Sequence, residues 1–242
     1  MTATRRLKDV PGFTAGWKMT FTGPEGIHDV PIPRGVSWQI SSRFGSIRDA
    51  VVMSDDGTPL FDKPVVYEAP ATNVVAWGRG EDGSVRIGVI RQPRPHADDP
   101  EHQGSDGHPP VVFGQVPMGY LEKLLGGNFE TPEQGAAREV GEETGATAVI
   151  RIERPASAWH NPNPTFVGSW TDLVFVEVDL TKIEVLKHDH SEPIYSAEYV
   201  PVATLRKWIR EGRDETGAIF RMCTANSVWF IFAETHPELW NS

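Results

Sequence analysis

The clearest helix signal in the chain is TPEQGAAREVGEETGA, residues 131–146. Thr131 suits the N-cap position, Pro132 suits the first helical position, and Gln134 stands three residues after the cap, as in a capping box. Gly145 suits the C-terminal end, where glycine readily takes the left-handed conformation. The pattern therefore predicts a helix that begins just after Thr131 and ends before Gly145.

The predicted helix carries three glutamates on or near one face. Glu139 and Glu143 are four residues apart and Glu142 lies three residues after Glu139, so the helical repeat brings their carboxylates together. Like charges this close repel one another, and a bound cation would remove the repulsion. Carboxylates, water and phosphate oxygens are the ligands that Mg²⁺ or Mn²⁺ prefers. Spacing alone leaves a second interpretation open, in which the three glutamates form a solvated acidic helix face.

The residues around these glutamates resemble the signature of the Nudix hydrolase family. That signature is Gly, five residues, Glu, seven residues, then Arg-Glu-apolar-any-Glu-Glu-any-Gly-apolar. Its second half is matched without a gap by Arg138, Glu139, Val140, Glu142, Glu143, Gly145 and Ala146. Glu130 stands eight residues before Arg138, as the first signature Glu should. The resemblance implies an α/β protein of the α+β kind, with an α/β/α sandwich around a mixed β-sheet.

The resemblance also implies roles for these side chains. Glu139, Glu142 and Glu143 would hold divalent metal ions, Mg²⁺ or Mn²⁺, and Glu139 and Glu142 would belong to the catalytic set. Arg138 would belong to it as well, by orienting a glutamate through a salt bridge, with Glu130 as the expected partner. The alternative for Arg138 is an ordinary ion pair on a helix surface, worth under about 1 kcal/mol.

The glycines before the helix depart from the signature. Counting back from Glu130 places Leu124 where the signature has Gly, and the pair Gly126 and Gly127 stands closer to Glu130 than the signature Gly does. We therefore expect the loop before the helix to be shortened. The resemblance implies that Gly126 and Gly127 contact the substrate.

Further motifs resemble the ADP-ribose pyrophosphatase branch of the family. A predicted strand that ends at Gln92 and Arg94 is similar to the branch's Gln-any-Arg ending, which implies that both side chains contact substrate. Glu122 stands where the branch has a metal-associated Glu, and Glu192 stands in a polar loop where it often has a catalytic base. Taken alone, Gln92 and Arg94 suit a surface strand end equally well, and Glu122 suits an exposed strand position.

The chain as a whole mixes strand and helix patterns. We divide it into a small β-rich N-terminal appendage, residues 1–65, which the resemblance associates with dimerisation, and a Nudix domain, residues 66–242. Residues 73–77 and 85–90 predict a β-hairpin at the start of the domain. Further predicted elements are strands at 36–40, 47–53, 147–152 and 171–178, helices at 202–211 and about 215–235, and a long loop at 93–110.

Composition excludes several classes of function. The net charge of −10 argues against general nucleic-acid or anionic-membrane binding, because phosphate backbones are bound by clustered Lys and Arg. The single cysteine, Cys223, allows no intrachain disulfide. No apolar run reaches the ~18 residues of a membrane-spanning helix. Since the N-terminus also lacks a secretory pattern, we expect a cytoplasmic protein.

These observations lead to one expectation of function and several alternatives. We expect a magnesium-dependent pyrophosphohydrolase that cleaves the diphosphate bond of a nucleoside diphosphate linked to another group. ADP-ribose, giving AMP and ribose 5-phosphate, is the first candidate substrate, and the resemblance implies a homodimer. The alternatives are another NDP-sugar, a dinucleotide such as NADH, a nucleoside triphosphate, or a Nudix-fold protein that senses a nucleotide without cleaving it.

Overall fold

The computed structural model describes nine segments of the chain. These are residues 18–23, 26–31, 39–42, 45–56, 59–94, 111–156, 159–160, 170–185 and 194–242. The chain divides into two compact units, with a boundary between Ala69 and Pro70. None of the helices among the described residues has the length and apolar character needed to cross a membrane.

The described part of the N-terminal unit consists of two antiparallel strand groups. Strands β1 (Lys18–Gly23) and β2 (Gly26–Pro31) pair as a hairpin. Strands β3 (Gln39–Ser42), β4 (Gly45–Met53) and β5 (Pro59–Glu68) form a three-stranded sheet with β4 in the middle. The strand predicted at 47–53 is confirmed within β4. Of the strand predicted at 36–40, residues 36–38 lie outside the described residues.

The larger unit contains a mixed sheet and four helices among its described residues. Its strands are β6 (Ala71–Arg79), β7 (Val85–Arg94), β8 (Val111–Gln115), β9 (Met118–Tyr120), β10 (Val149–Glu153), β11 (Trp159–His160), β12 (Thr171–Val178) and β13 (Ser196–Pro201). Its helices are α1 (Pro132–Thr144), α2 (Val202–Glu211), α3 (Cys223–Thr235) and α4 (Pro237–Trp240). The predicted hairpin is confirmed as β6 and β7, and the strand predicted at 171–178 is confirmed as β12.

The sheet opens between its two central strands. The order is β10-β12-β6-β7-β13, with β6 and β12 parallel and the other neighbours antiparallel. The strands β6 and β7 pair with each other near their turn, where Trp77 lies opposite Ile87. Farther from the turn, β7 pairs with β8 and β6 pairs with β9. The short strands β8 and β9 therefore occupy the gap between β6 and β7.

Both faces of the sheet are covered, as the alternation along β6 requires. Val74 and Ala76 pack on one face with Ala136 and Val140 of α1. Val75 and Trp77 point to the opposite face and pack with residues of α2 and α3. Each fully buried Val, Leu or Phe side chain stabilises the fold by roughly 1.5–3 kcal/mol. The predicted α/β/α sandwich with a mixed sheet is confirmed.

The helix predictions are correct for α1 and α2 and wrong at one end of α3. The helix predicted at about 215–235 begins only at Cys223. Before it, Asp214 accepts backbone hydrogen bonds from Thr216 and Ala218 through Oδ1, and Gly217 has a φ of 87°. This Asx-type turn competes with the helix for the backbone donors of residues 216–218.

Candidate active site

Helix α1 is held at both ends by the residues that predict it. The Thr131 side chain accepts a hydrogen bond from the Gln134 backbone N–H, and the Gln134 side chain accepts one from the Thr131 N–H. At the other end Gly145 is left-handed, with a φ of 74°, and its N–H donates to the Gly141 carbonyl. An N-cap interaction of this kind contributes about 1 kcal/mol, so the helix that carries the glutamates is well anchored.

Arg138 is the centre of an acidic cluster on this helix. Its Nε donates to both carboxylate oxygens of Glu130, at 3.1 and 3.3 Å, and its Nη2 donates to Glu130 at 3.0 Å. Its Nη1 donates to Glu139 at 2.7 Å and to Glu142 at 2.9 Å. The predicted ion pair between Arg138 and Glu130 is therefore present in the structure. The hydrogen bond from Arg138 also lowers the pKa of the Glu130 carboxyl below its usual value of 4.5.

The three signature glutamates differ in exposure. Glu139 and Glu143 are buried, with 5% and 2% of their surface exposed, whereas Glu142 is exposed. A buried carboxylate requires a partner, because removing its charge from water is costly. Glu139 is paired with Arg138, and the Oε2 of Glu143 accepts a hydrogen bond from the Met118 backbone N–H at 2.8 Å. Glu143 therefore ties the C-terminal half of α1 to the start of β9.

Gly119 of β9 lies directly against the cluster. A Cβ placed on Gly119 would lie 1.8 Å from Oε1 of Glu139, so only a hydrogen fits beneath this carboxylate. By contrast, open space surrounds the positions where Gly126 and Gly127 would carry a Cβ, and both residues are exposed. The sequence reasoning missed Gly119. A signal was available, because Gly119 stands two residues after Pro117, in a largely apolar stretch between Val116 and Leu121.

The loop before α1 is lengthened rather than shortened, if Gly119 is taken as the signature glycine. Ten residues, 120–129, separate Gly119 from Glu130, where the signature has five. The added residues form a hairpin, in which Lys123 pairs with Phe129 and the Leu124 N–H donates to the Asn128 carbonyl. A folded hairpin accommodates the insertion without moving Glu130. With Gly119 in that position the loop carries an insertion, in place of the shortening that the sequence predicts.

Glu130 links this hairpin to α1. Its Oε2 accepts the Glu122 backbone N–H at 2.9 Å, while its own backbone N–H donates to the Glu122 carbonyl. The predicted metal-associated residue Glu122 is thus held next to Glu130 through its backbone, and its side chain is exposed. Arg138 also donates from Nη2 to the Tyr120 carbonyl at 2.9 Å. One arginine therefore connects α1, β9 and the base of the hairpin.

A second polar group lies where β7 meets β8. The Arg94 Nη2 donates to Oε1 of Gln115 at 2.9 Å, and the Gln115 Nε2 donates to Oε1 of Gln92 at 2.7 Å. Gln115 is fully buried. Its neighbour Gly114 packs under Phe220 of the α2/α3 core, so Gln115 points toward the α1 side of the sheet. The structure brings the predicted residues Gln92 and Arg94 together through Gln115, which the sequence reasoning did not select.

Two other features bear on the site. Glu192, the predicted catalytic base, lies outside the described residues. A cavity of about 500 Å³ lies beside Thr144 at the C-terminal end of α1. There Thr144 and Tyr199 share a hydrogen bond of 2.8 Å, and burial raises the pKa of Tyr199 to about 12. None of the predicted site residues lines this cavity, so we assign it no role in the chemistry.

The donor chemistry of the cluster fits a divalent cation. Glu139 and Glu142 both lie within 3 Å of one nitrogen of Arg138, so a positive charge is already held between them. In the part of the chain that the structure describes, no three His, Cys, Asp or Glu side chains are gathered closely enough to hold a metal ion. A metal bound by Glu139 and Glu142 would have to replace Arg138 at one or both of these carboxylates. Glu142 is exposed, which suits it to such a change.

Comparison with known proteins agrees with this geometry. A family model described as NUDIX domain matches residues 73–221, which is more than half of the 242-residue chain. The matched range contains α1, the hairpin before it and the polar group on β7 and β8. None of the curated proteins compared with the chain matches it.

Proposed function

Since the chain belongs to the Nudix family, we propose that it is a metal-dependent pyrophosphohydrolase whose first candidate substrate is ADP-ribose. The family match supports hydrolysis of nucleoside diphosphate derivatives in general terms. The observation that carries the proposal is the acidic cluster on α1, where Arg138 holds Glu139 and Glu142 at 2.7 and 2.9 Å. Two buried carboxylates on one helix are costly to remove from water, which supports a role for them beyond that of an acidic surface.

Each residue of the cluster has a proposed part in the reaction. Glu139, Glu142 and Glu143 would hold the divalent metal, with Glu122 as a further ligand from the hairpin. The metal, when bound, would neutralise the diphosphate charge and acidify a water for attack on phosphorus. Arg138 keeps Glu139 in place above Gly119, because its guanidinium fixes the carboxylate from the side. Glu192 is the proposed general base.

The substrate side of the site is proposed to be the Gln92 and Arg94 end of β7. A guanidinium and an amide suit the oxygens of a diphosphate or a ribose, because both groups donate hydrogen bonds. Gly126 and Gly127, in the exposed turn of the hairpin, remain predicted substrate contacts. The resemblance of the β7 ending to the ADP-ribose branch is the reason for placing ADP-ribose before the other nucleoside diphosphate derivatives.

A panel of substrates with product identification tests this proposal. The purified full chain is incubated with ADP-ribose, an NDP-sugar, NADH and a nucleoside triphosphate, with Mg²⁺, with Mn²⁺ and with EDTA. We expect metal-dependent conversion of ADP-ribose to AMP and ribose 5-phosphate, with ¹⁸O from labelled water in one phosphate product. Faster turnover of another panel member would replace the substrate and keep the reaction. Binding of ADP-ribose without turnover under any metal condition would establish a sensor instead.

A further inference from the structure

Three side chains at the β7 and β8 junction form a directional chain of hydrogen bonds. Arg94 donates to Gln115 at 2.9 Å and Gln115 donates to Gln92 at 2.7 Å. Gln115 has no exposed surface and Gln92 retains 8% of its surface. The two glutamines are diagonal neighbours on paired strands, since Ile90 lies opposite Gln115 and Gln92 opposite Phe113. These hydrogen bonds therefore run from the Arg94 guanidinium, through the buried Gln115 amide, to the nearly buried Gln92 amide.

The cation fixes the orientation of every amide in this chain. A guanidinium has donors and no acceptor, so the group that Gln115 turns toward Arg94 must be its carbonyl oxygen. The Gln115 NH₂ group then faces Gln92, whose side-chain carbonyl oxygen must accept the hydrogen bond. Among the described residues, the remaining NH₂ group of Gln92 has no protein partner. The Gln92 NH₂ group is thus available to donate hydrogen bonds to a ligand. Gln115 determines that Gln92 turns its NH₂ group, and not its carbonyl oxygen, away from Gln115.

We propose that Gln115 is a positioning residue that makes Gln92 a hydrogen-bond donor to an oxygen acceptor on the substrate. This proposal rests on the proposed function and specifies what the site recognises. Arg94 and Gln92 would then both act as donors, so the site selects a ligand whose facing groups are acceptors, such as diphosphate or ribose oxygens. A ligand that places a hydrogen-bond donor next to Gln92 would bind more weakly, because its donor and the Gln92 NH₂ group would face each other without an acceptor.

The substitution Gln115→Glu should reverse the orientation of the Gln92 amide, and residue 115 is buried and does not itself contact the substrate. A carboxylate at position 115 accepts from Arg94, and the adjacent guanidinium keeps it ionised. It can only accept from Gln92 as well, so Gln92 must turn its NH₂ group inward and its carbonyl outward. Gln134→Glu is the matched control, because it makes the same charge change in the exposed first turn of α1. A glutamate there keeps the capping-box acceptor for the Thr131 N–H.

Binding of α,β-methylene-ADP-ribose with Mg²⁺, measured by calorimetry, gives the first readout. We expect Gln115→Glu and Gln92→Leu each to weaken binding roughly tenfold, as loss of one hydrogen bond does. The double variant, Gln115→Glu with Gln92→Leu, should bind no more weakly than Gln92→Leu alone, since leucine has no amide whose orientation Gln115 could set. Gln134→Glu should bind like the wild type. Wild-type affinity in Gln115→Glu, or additive losses in the double variant, would overturn the proposal.

A second readout needs no substrate and separates this proposal from the proposed function. In ¹⁵N-glutamine-labelled protein, the Gln92 side-chain NH₂ signal is assigned by its loss in Gln92→Leu. We expect this NH₂ group to exchange with water in the wild type and to become protected in Gln115→Glu, where it donates inward. An exchange rate that Gln115→Glu leaves unchanged contradicts the polarity argument. Protection in Gln115→Glu, together with a wild type that does not cleave ADP-ribose, refutes only the proposed substrate.

Discussion

At the scale of single residues, the candidate site depends on where each carboxylate sits rather than on how many there are. Glu139 and Glu143 are buried and held by Arg138 and by the Met118 N–H, so they form a fixed part of the site. Glu142 is exposed and is held by Arg138 from one side, so it can move. Two fixed acidic groups and one mobile group are suited to receiving a cation.

The glutamate roles can be separated by neutral substitutions. Glu142→Gln and Glu143→Gln should each lower metal-dependent turnover by more than about 100-fold, because a ligand charge is lost while the side-chain shape is kept. Glu143→Gln retains an oxygen for the Met118 N–H, so its thermal unfolding should change little. Glu133→Gln, in the first turn of the same helix, is the control and should retain activity. Full activity in both signature variants would remove the metal assignment.

Gly119 provides a test of the contact beneath Glu139. Gly119→Ala places a methyl group 1.8 Å from the present position of the Glu139 Oε1, so the carboxylate must move. We expect turnover to fall by roughly 10- to 100-fold, since a shift of about 1 Å in a catalytic group has that effect.

The matched control for this glycine lies on α1 itself. A Cβ on Gly141 would lie 3.7 Å from the Ala146 carbonyl, an ordinary contact. Gly141→Ala should therefore keep activity and stabilise the helix by about 0.5–1 kcal/mol. Equal activity in the Gly119 and Gly141 variants would show that the position of the Glu139 carboxylate is unimportant.

At the scale of elements, α1 and the hairpin of residues 122–130 are one connected unit. Arg138 donates to Glu130, and Glu130 accepts the Glu122 N–H and so fixes the base of the hairpin. The same arginine holds Glu139 and Glu142. If metal binding changed the partners of Arg138, the contact between Glu130 and the base of the hairpin would therefore be affected as well.

The stability contributed by Glu130 should depend on pH in a defined direction. The pKa of Glu130 in the folded chain is lowered from 4.5 by the Arg138 hydrogen bond, so folding favours its ionised form. Its contribution is complete above about pH 4.5 and is lost as the pH falls through the lowered folded value. Glu130→Gln should be less stable than the wild type at pH 7 by about 1–3 kcal/mol.

Urea unfolding of the wild type and of Glu130→Gln at several pH values measures this difference. The difference should be constant from pH 7 to pH 5 and should shrink toward pH 3. A difference that grows as the pH falls would mean that Glu130 is stabilised in its protonated form.

The sequence predicted the elements whose signals are local and missed the contacts that depend on distant pairing. The capping residues Thr131 and Gly145 act within their own helix, so α1 could be delimited in advance. Gly119 meets Glu139 across twenty positions, and Gln115 meets Gln92 across two strands, so neither role is visible in a local pattern. The start of α3 was misplaced because the Asp214 turn interrupts an amphipathic stretch.

At the scale of the whole molecule, the described site residues all lie in the unit that begins at Pro70. The strands β8 and β9 occupy the gap between β6 and β7, and this arrangement brings Gly119 under α1 and Gln115 beside Arg94. The N-terminal unit contributes its own three-stranded sheet of β3, β4 and β5. We propose that residues 1–65 serve dimerisation rather than catalysis.

Light scattering coupled to size-exclusion chromatography measures the oligomeric state. We expect a mass of twice the 26.8 kDa of one chain, because the family branch that the sequence resembles uses an N-terminal β appendage to form dimers. The mass should stay the same after dilution from micromolar to nanomolar concentrations. A mass of one chain under all conditions would contradict the proposed homodimer.

The proposed function depends on the α1 glutamates binding a divalent cation. Anomalous diffraction from crystals of the full chain soaked in Mn²⁺, recorded beside a crystal of Glu143→Gln soaked in the same way, tests it most directly. We expect a manganese peak bound by Glu139, Glu142 and Glu143, with Glu142 released from Arg138, and a loss of that peak in the variant. Wild-type crystals with no manganese at these side chains, and with Glu142 still bound to Arg138, would contradict it.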